Sequence, residues 1–153
     1  MKKFAFIFVV LFGFALSLTA QEREVKLKIV QTSDVHGNYY PYNFITQKDW
    51  AGSLARVHAF VQKKREIYKD NLILLDNGDI LQGQPTAYYY NYIDTVSPHL
   101  CAEMMNYMGY DAGNMGNHDV ETGRRVFDRW ISECNFPVLG ANIIDTANSF
   151  KAL

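Results

Sequence analysis

The chain has 153 residues, of which 48% are hydrophobic and 20% charged, a balance typical of one globular domain rather than of a disordered or collagen-like chain. Its 15 Lys and Arg residues against 16 Asp and Glu residues give a formal net charge of −1. Because there is no basic excess of the kind that nucleic-acid-binding proteins carry, we expect no nucleic-acid partner.

The first twenty residues have the pattern of an export signal. Lys2 and Lys3 precede an unbroken apolar run at residues 4–16, which is shorter than the roughly 18 residues that a membrane span requires. We therefore expect residues 1–20 to be a signal peptide and the mature protein to be periplasmic or extracellular, with no stable membrane span once the leader is removed. A buried N-terminal helix or an uncleaved anchor is the alternative.

Strands and helices alternate along the rest of the chain. The predicted elements are a strand at 25–30, a helix at 53–69, a strand at 72–75, a helix at 86–92, a helix from Ser97-Pro98 to Gly109, a strand at 110–112, a helix at 124–133 and a strand at 137–142. This order predicts an α/β domain with a largely parallel sheet and flanking helices. Such sheets place ligands at the carboxyl ends of their strands.

Some conspicuous side chains have more than one interpretation. The tyrosines at 88–90 and 92 could stack on a base or pack at an interface. Trp50 and Trp130 are expected in the core. Export would permit a disulfide between Cys101 and Cys134, but both lie in predicted helical segments among apolar neighbours, which favours free thiols.

Three polar clusters follow predicted strands, at Asp34-Val35-His36, Gly78-Asp79 and Gly116-Asn117-His118-Asp119. If the backbone of the first cluster is extended, the side chains of Asp34 and His36 point to the same side and can converge on one cation. A carboxylate oxygen and an imidazole nitrogen suit Zn²⁺, Mn²⁺ or Fe better than Ca²⁺. Taken alone, each cluster also fits a turn or a loop cap.

The second and third clusters add further possibilities. The carboxylate of Asp79 has two oxygens and could bridge two metal ions. In an extended backbone, Asn117 would face a metal while His118 faces the substrate, where an imidazole is the usual proton donor. Asp119 and Glu121 are both close enough in sequence to orient His118.

Taken together and in order, the three clusters resemble the calcineurin-like metallophosphoesterases, which carry D-x-H, G-D and G-N-H-[DE]. More narrowly, residues 34–38, 78–83 and 138–143 are similar to the exported 5′-nucleotidase group, which includes UDP-sugar hydrolases and 2′,3′-cyclic-nucleotide phosphodiesterases. The resemblance extends from about Lys26 to Ile144. It implies the N-terminal part of a metallophosphoesterase-type α/β sandwich.

The resemblance implies a role for each matching residue. Asp34 and His36 match ligands of a first divalent ion, Asp79 matches a bridging carboxylate, and Asn117 matches a ligand of a second ion. The ions would be of the Zn, Mn or Fe type, and two of them would activate water for attack on a small-molecule phosphoester such as a nucleotide. His118 matches the catalytic histidine. Its carboxylate partner would be Glu121, where the group usually has Asp, or the adjacent Asp119.

The resemblance also implies further G-H and G-H-x-H segments and, in larger members, a C-terminal domain that binds the base. No His follows His118, so we expect residues 21–153 to be a truncated N-terminal portion of the catalytic domain. The function indicated by lineage is an exported 5′-nucleotidase-type hydrolase. The alternatives are a non-catalytic fragment with an incomplete metal site and a related hydrolase of cyclic or sugar nucleotides. Substrate-binding residues are not indicated.

Overall fold

The computed structural model describes residues 24–146 and 151–152, and the predicted signal peptide lies outside them. The strands are β1 (Lys28–Thr32), β2 (Tyr42–Asn43), β3 (Lys48–Asp49), β4 (Leu72–Asp76), β5 (Gly113–Asn114), β6 (Val138–Leu139), β7 (Ile144–Asp145) and β8 (Lys151–Ala152). The helices are α1 (Leu54–Tyr68), α2 (Pro85–Tyr88), α3 (Leu100–Met108), α4 (Asn117–Glu121) and α5 (Arg124–Glu133), with a 3₁₀ turn at Lys69–Asn71 and a π-helical turn at Tyr89–Ile93. Among these helices, none is both long enough and apolar enough to cross a membrane.

The principal sheet is parallel. β1 pairs with β4 in a register that sets Thr32 opposite Asp76, and β5 pairs with β6. A parallel bridge between Leu75 and Ala112 joins β4 to the segment that leads into β5. The spatial order is therefore β1-β4-β5-β6, and each new strand is added on the same side. This arrangement confirms the predicted α/β fold with a largely parallel sheet.

The two faces of this sheet differ in how they are covered. Right-handed crossovers that always advance in one direction place their helices on one face, and the core forms there. Leu74 of β4, Met105 of α3 and Trp130 of α5 are fully buried in it. On β1 and β6, by contrast, Ile29 and Leu139 remain more than half exposed, at 56% and 53%.

Helix α1 begins where the sequence predicts. The hydroxyl of Ser53 caps it by accepting a hydrogen bond from the backbone N–H of Arg56 at 3.4 Å. The predicted end of α3 is also confirmed, because Gly109 closes the helix in the left-handed conformation with φ 67°.

The predicted start of α3 at Ser97-Pro98 is wrong. The carboxylate of Asp94 accepts hydrogen bonds from the backbone N–H groups of Val96 and Ser97 at 3.3 and 3.0 Å, which forms a turn in place of a first helical turn. The helix begins at Leu100, with His99 at the cap position.

The predicted burial of the two tryptophans is confirmed for Trp130 and wrong for Trp50, which is 44% exposed. Trp50 follows the short β2–β3 hairpin, and its backbone N–H bonds to the carbonyl of Pro41. It therefore lies over the surface rather than in the core. Cys101 and Cys134 are free thiols, as expected.

Candidate metal and catalytic site

The three polar clusters meet at the carboxyl ends of β1, β4 and β5. Backbone hydrogen bonds join the first two, from the N–H of Asp34 to the carbonyl of Gly78 at 3.0 Å and from the N–H of His36 to the carbonyl of Asp79 at 2.9 Å. The third cluster connects to them through the backbone N–H of His118, which donates to the Oδ1 atom of Asp79 at 2.9 Å. The parallel register brings the three loops to one edge of the sheet.

His36, Asp79 and His118 form a group that could hold a metal ion. One nitrogen or oxygen atom from each lies within 4.8 Å of the others. The rings of His36 and His118 meet edge to face, with centroids 5.2 Å apart. Asp34 lies beside this group, its Oδ1 atom 3.9 Å from the Nε2 atom of His36. Two imidazoles with one or two carboxylates fit Zn²⁺, Mn²⁺ or Fe.

The backbone at these residues is not extended, which corrects the expectation for Asp34 and His36. Their φ angles are 55° and 47°, and that of Asp79 is 60°. Asp and His are among the non-glycine residues that tolerate the left-handed region best, yet each such residue costs roughly 1–3 kcal/mol and is typical of functional sites. The side chains of Asp34 and His36 thus converge through two left-handed residues rather than through strand alternation.

The expectation of an extended backbone at Asn117 and His118 is also wrong, because both lie in the first turn of α4. Adjacent residues of a helix do not point in opposite directions. Asn117 is exposed, and its side chain hydrogen-bonds to Glu121.

Glu121 contacts the imidazole of His118. Its Oε2 atom lies 2.8 Å from Nδ1 of the ring, and both side chains are partly exposed. This hydrogen bond raises the pKa of His118 and lowers the pKa of Glu121. Glu121 therefore fixes the ring and favours its protonated form.

Asp119 has a different environment, since it is fully buried and, within the described residues, its carboxylate accepts hydrogen bonds from backbone amides alone. Oδ2 accepts from Asp79 and Gly116 at 2.8 and 2.9 Å, and Oδ1 accepts from Ile80 and Leu81, each at 2.9 Å. Burial raises the pKa of Asp119, and these hydrogen bonds oppose the shift. One carboxylate thus fastens the loop after β4 to the loop after β5.

The two loops approach so closely that Gly116 is required between them. A Cβ atom at this position would lie 2.1 Å from the Oδ1 atom of Asp79. A side chain there would displace Asp79 from the group that it forms with His36 and His118.

A buried polar cluster beneath the site was not among the predicted site residues. The hydroxyl of Thr32 donates to Asp76 at 2.6 Å and lies 2.8 Å from the hydroxyl of Tyr110, while the N–H of Gly78 donates to Asp76 at 3.0 Å. Burial raises the pKa of Asp76 to about 6. The sequence feature that could have indicated this cluster is Asp76 itself, a carboxylate at the end of an apolar strand and directly before the turn that carries Asp79.

Comparison with known proteins identifies the class to which this fold and site belong. The family model of the calcineurin-like phosphoesterases matches residues 27–150. The chain belongs to this family and is by lineage a hydrolase, as the motifs predicted.

Individual relatives are nucleotide phosphoesterases by name. The trifunctional nucleotide phosphoesterase YfkN of Bacillus subtilis is 37% identical over 131 residues, which are 81% of this chain and 9% of the relative. The 2′,3′-cyclic-nucleotide 2′-phosphodiesterase/3′-nucleotidase of Yersinia enterocolitica is 30% identical, covering 83% of this chain and 20% of the relative. Bovine 5′-nucleotidase is 34% identical, covering 79% and 21%.

A solved structure shows the same fold. The crystal structure of YfkN from Bacillus subtilis superposes with a TM-score of 0.73 at 35% identity, covering 82% of this chain and 39% of that one. The predicted metallophosphoesterase-type fold is thereby confirmed. The chain spans about a tenth to a fifth of the length of these curated relatives.

Proposed function

We propose that this chain is the N-terminal portion of the catalytic domain of an exported, 5′-nucleotidase-type phosphoesterase. The observation that carries the proposal is the convergence of His36, Asp79 and His118 at the strand ends, with Glu121 hydrogen-bonded to the Nδ1 atom of His118. The names of the relatives support a nucleotide as the phosphoester.

The enzyme would require two divalent ions of the Zn, Mn or Fe type. Asp34, His36 and Asp79 would hold the first, and Asp79 and Asn117 would contribute to the second. When bound, such ions neutralise phosphoryl oxygens and make water more acidic. The assigned donors, which are one imidazole ring, two carboxylates and the amide oxygen of Asn117, fit these metals.

His118 would act as the proton donor to the leaving oxygen of the ester. Its hydrogen bond with Glu121 raises its pKa, so the imidazolium form persists to higher pH than in a free histidine. Activity that depends on this proton is therefore present at low pH and is lost as the pH rises through the pKa of His118. Asp119 would act only by positioning the loop of Asp79.

We expect weak turnover from this chain by itself. Asn117 is exposed and is the only residue assigned solely to the second ion, which leaves that ion with few protein ligands. A fragment that binds metal without efficient catalysis is therefore the second candidate. A related activity on cyclic or sugar nucleotides would use the same phosphate-binding residues.

Cobalt titration of the full chain tests the metal site. Asp79→Asn should weaken Co²⁺ binding at least about tenfold, because it removes a charged ligand. The substitution keeps an oxygen for the N–H of His118 and tolerates the left-handed backbone. Asp70→Asn, at the opposite end of β4, is the matched control and should bind Co²⁺ normally. Equal affinities in the two variants would contradict the proposal.

Phosphate release from AMP with Mn²⁺ tests the activity. We expect a slow rate that His118→Ala abolishes. A rate that His118→Ala leaves unchanged would exclude the proposed proton donor.

A further inference from the structure

Gln82 lies in the loop that follows Asp79 and has no role in the assignments above. Its side chain hydrogen-bonds to the carboxylate of Glu121. Because an ionised carboxylate only accepts hydrogen bonds, the NH₂ group of the Gln82 amide is the donor. This contact links the loop after β4 to the exposed end of α4.

The backbone on both sides of Gln82 is held in place. The N–H of Leu81 donates to the Oδ1 atom of the buried Asp119 at 2.9 Å. Gly83 lies directly against His36, since a Cβ atom at residue 83 would be 2.4 Å from the carbonyl oxygen of His36. Gln82 therefore presents its amide to Glu121 from a constrained part of the loop.

The helix that carries Glu121 holds this side chain weakly. Glu121 is the last residue of α4, which has only five residues, and a negative charge near the C-terminal end of a helix is unfavourable. The side chains of His118 and Asn117, which also hydrogen-bond to this carboxylate, belong to the same short helix. Gln82 supplies a donor from outside the helix.

The pair formed by Glu121 and His118 is open to solvent, since their side chains are 55% and 37% exposed. Such a pair contributes little by itself, because ordering a long glutamate side chain costs conformational entropy. A hydrogen bond from a constrained amide restricts the glutamate in advance. The orientation of the imidazole then depends on Gln82 as well as on Glu121.

We propose that Gln82 is a positioning residue for His118. Its amide holds the Glu121 carboxylate against the Nδ1 atom of the imidazole, which fixes the ring and keeps the proton on Nδ1. The proton on the other nitrogen is then the one that the ring can give to the ester. The inference rests on the proposed function, because this positioning serves catalysis only if His118 is the proton donor.

The tautomer of His118 tests the inference. It is measured from the nitrogen chemical shifts of the ring in the metal-free full chain, at a pH where the ring is neutral. Gln82→Met keeps the length of the side chain but removes the donor. We expect it to lower the ratio of the Nδ1–H to the Nε2–H tautomer roughly fivefold, the factor that corresponds to a typical net hydrogen bond. Gln82→Lys restores an N–H donor and should keep the native ratio.

Gln84→Met is the matched control. Gln84 lies two residues further along the same segment, and its side-chain oxygen accepts no hydrogen bond from the described residues. This variant should also keep the native ratio. In the hydrolysis of AMP with Mn²⁺, Gln82→Met should lower kcat by a similar factor and leave KM unchanged, because the orientation of a proton donor matters in the transition state.

An unchanged tautomer ratio in Gln82→Met, or equal losses in Gln82→Met and Gln82→Lys, would overturn the inference and leave the proposed function intact. A ratio that falls as expected, in a chain whose hydrolysis of AMP is unaffected by His118→Ala, would support the positioning of the ring and overturn the proposed function.

Discussion

Asp119 and Glu121 lie two residues apart on the same short helix, yet they belong to two different regions of the site. Asp119 is buried between the loop after β4 and the start of α4, and its carboxylate accepts hydrogen bonds from four backbone amides. Glu121 lies on the exposed rim and contacts the ring of His118. From the sequence alone, either carboxylate could be the partner of His118. The difference shows that a buried carboxylate can shape a site without touching the reacting groups.

The largest loss of stability should come from a substitution at the buried Asp119. Asp119→Asn places an NH₂ group against two backbone N–H donors, so we expect the free energy of unfolding to fall by roughly 3–5 kcal/mol. Urea denaturation followed by the fluorescence of the buried Trp130 measures it. Glu121→Gln is the control and should lower the stability far less than Asp119→Asn, because its hydrogen bond to His118 is solvent-exposed. Equal losses in the two variants would remove the distinction between the regions.

A smaller loss of stability is expected at acid pH. It involves His99, which contacts the loop after β4 through the side chain of Asn91. His99 is fully buried and meets Asn91, whose side chain holds the carbonyl of Leu81. Burial lowers the pKa of His99 to about 4. Between an unfolded pKa of about 6.5 and this value, only the unfolded chain binds the proton. His99 should therefore cost up to about 3 kcal/mol of stability as the pH falls through that window.

Comparison of the chain with a His99→Gln variant between pH 7 and pH 4 isolates this contribution. The comparison is needed because Asp76, whose pKa is raised to about 6, favours the folded state as the pH falls through the same range. The stability difference between the two proteins should shrink toward acid pH. A difference that does not vary with pH would mean that His99 is not held neutral.

The smallest effect is expected from a substitution at the exposed Glu121. Glu121→Gln should lower the pKa of His118, because the hydrogen bond that the imidazole donates to this carboxylate is the main cause of the raised pKa. Titration of the imidazole resonances by NMR in metal-free protein measures the shift. Glu103→Gln, an exposed glutamate in the first turn of α3, should leave the pKa of His118 unchanged. An unaltered pKa in the Glu121 variant would contradict the assigned partner.

Where local periodicity determines structure, the sequence predicted it well. The helix at Arg124–Glu133 matches its prediction residue for residue, and the apolar run at 72–75 lies within β4. The order of these elements was sufficient to predict the parallel sheet. The position of the polar clusters after strands was sufficient to predict that their loops meet at one edge of it.

The geometry within the site could not be predicted, since contacts distant in sequence determine it. Asp79 and His36 adopt left-handed conformations in loops that bond to each other. Helix α4 has only five residues and no apolar periodicity, and its Asp119 bonds to amides about forty positions away. No local pattern encodes such pairings.

The most direct test of the account uses the four histidines of the chain, His36, His58, His99 and His118. We expect substoichiometric Mn²⁺ to broaden the side-chain NMR signals of His36 and His118 strongly, and those of His58 and His99 little, because only the first pair lies in the group with Asp79. Uniform broadening of all four histidines, or none at His36 and His118, would contradict a cation site at the strand ends.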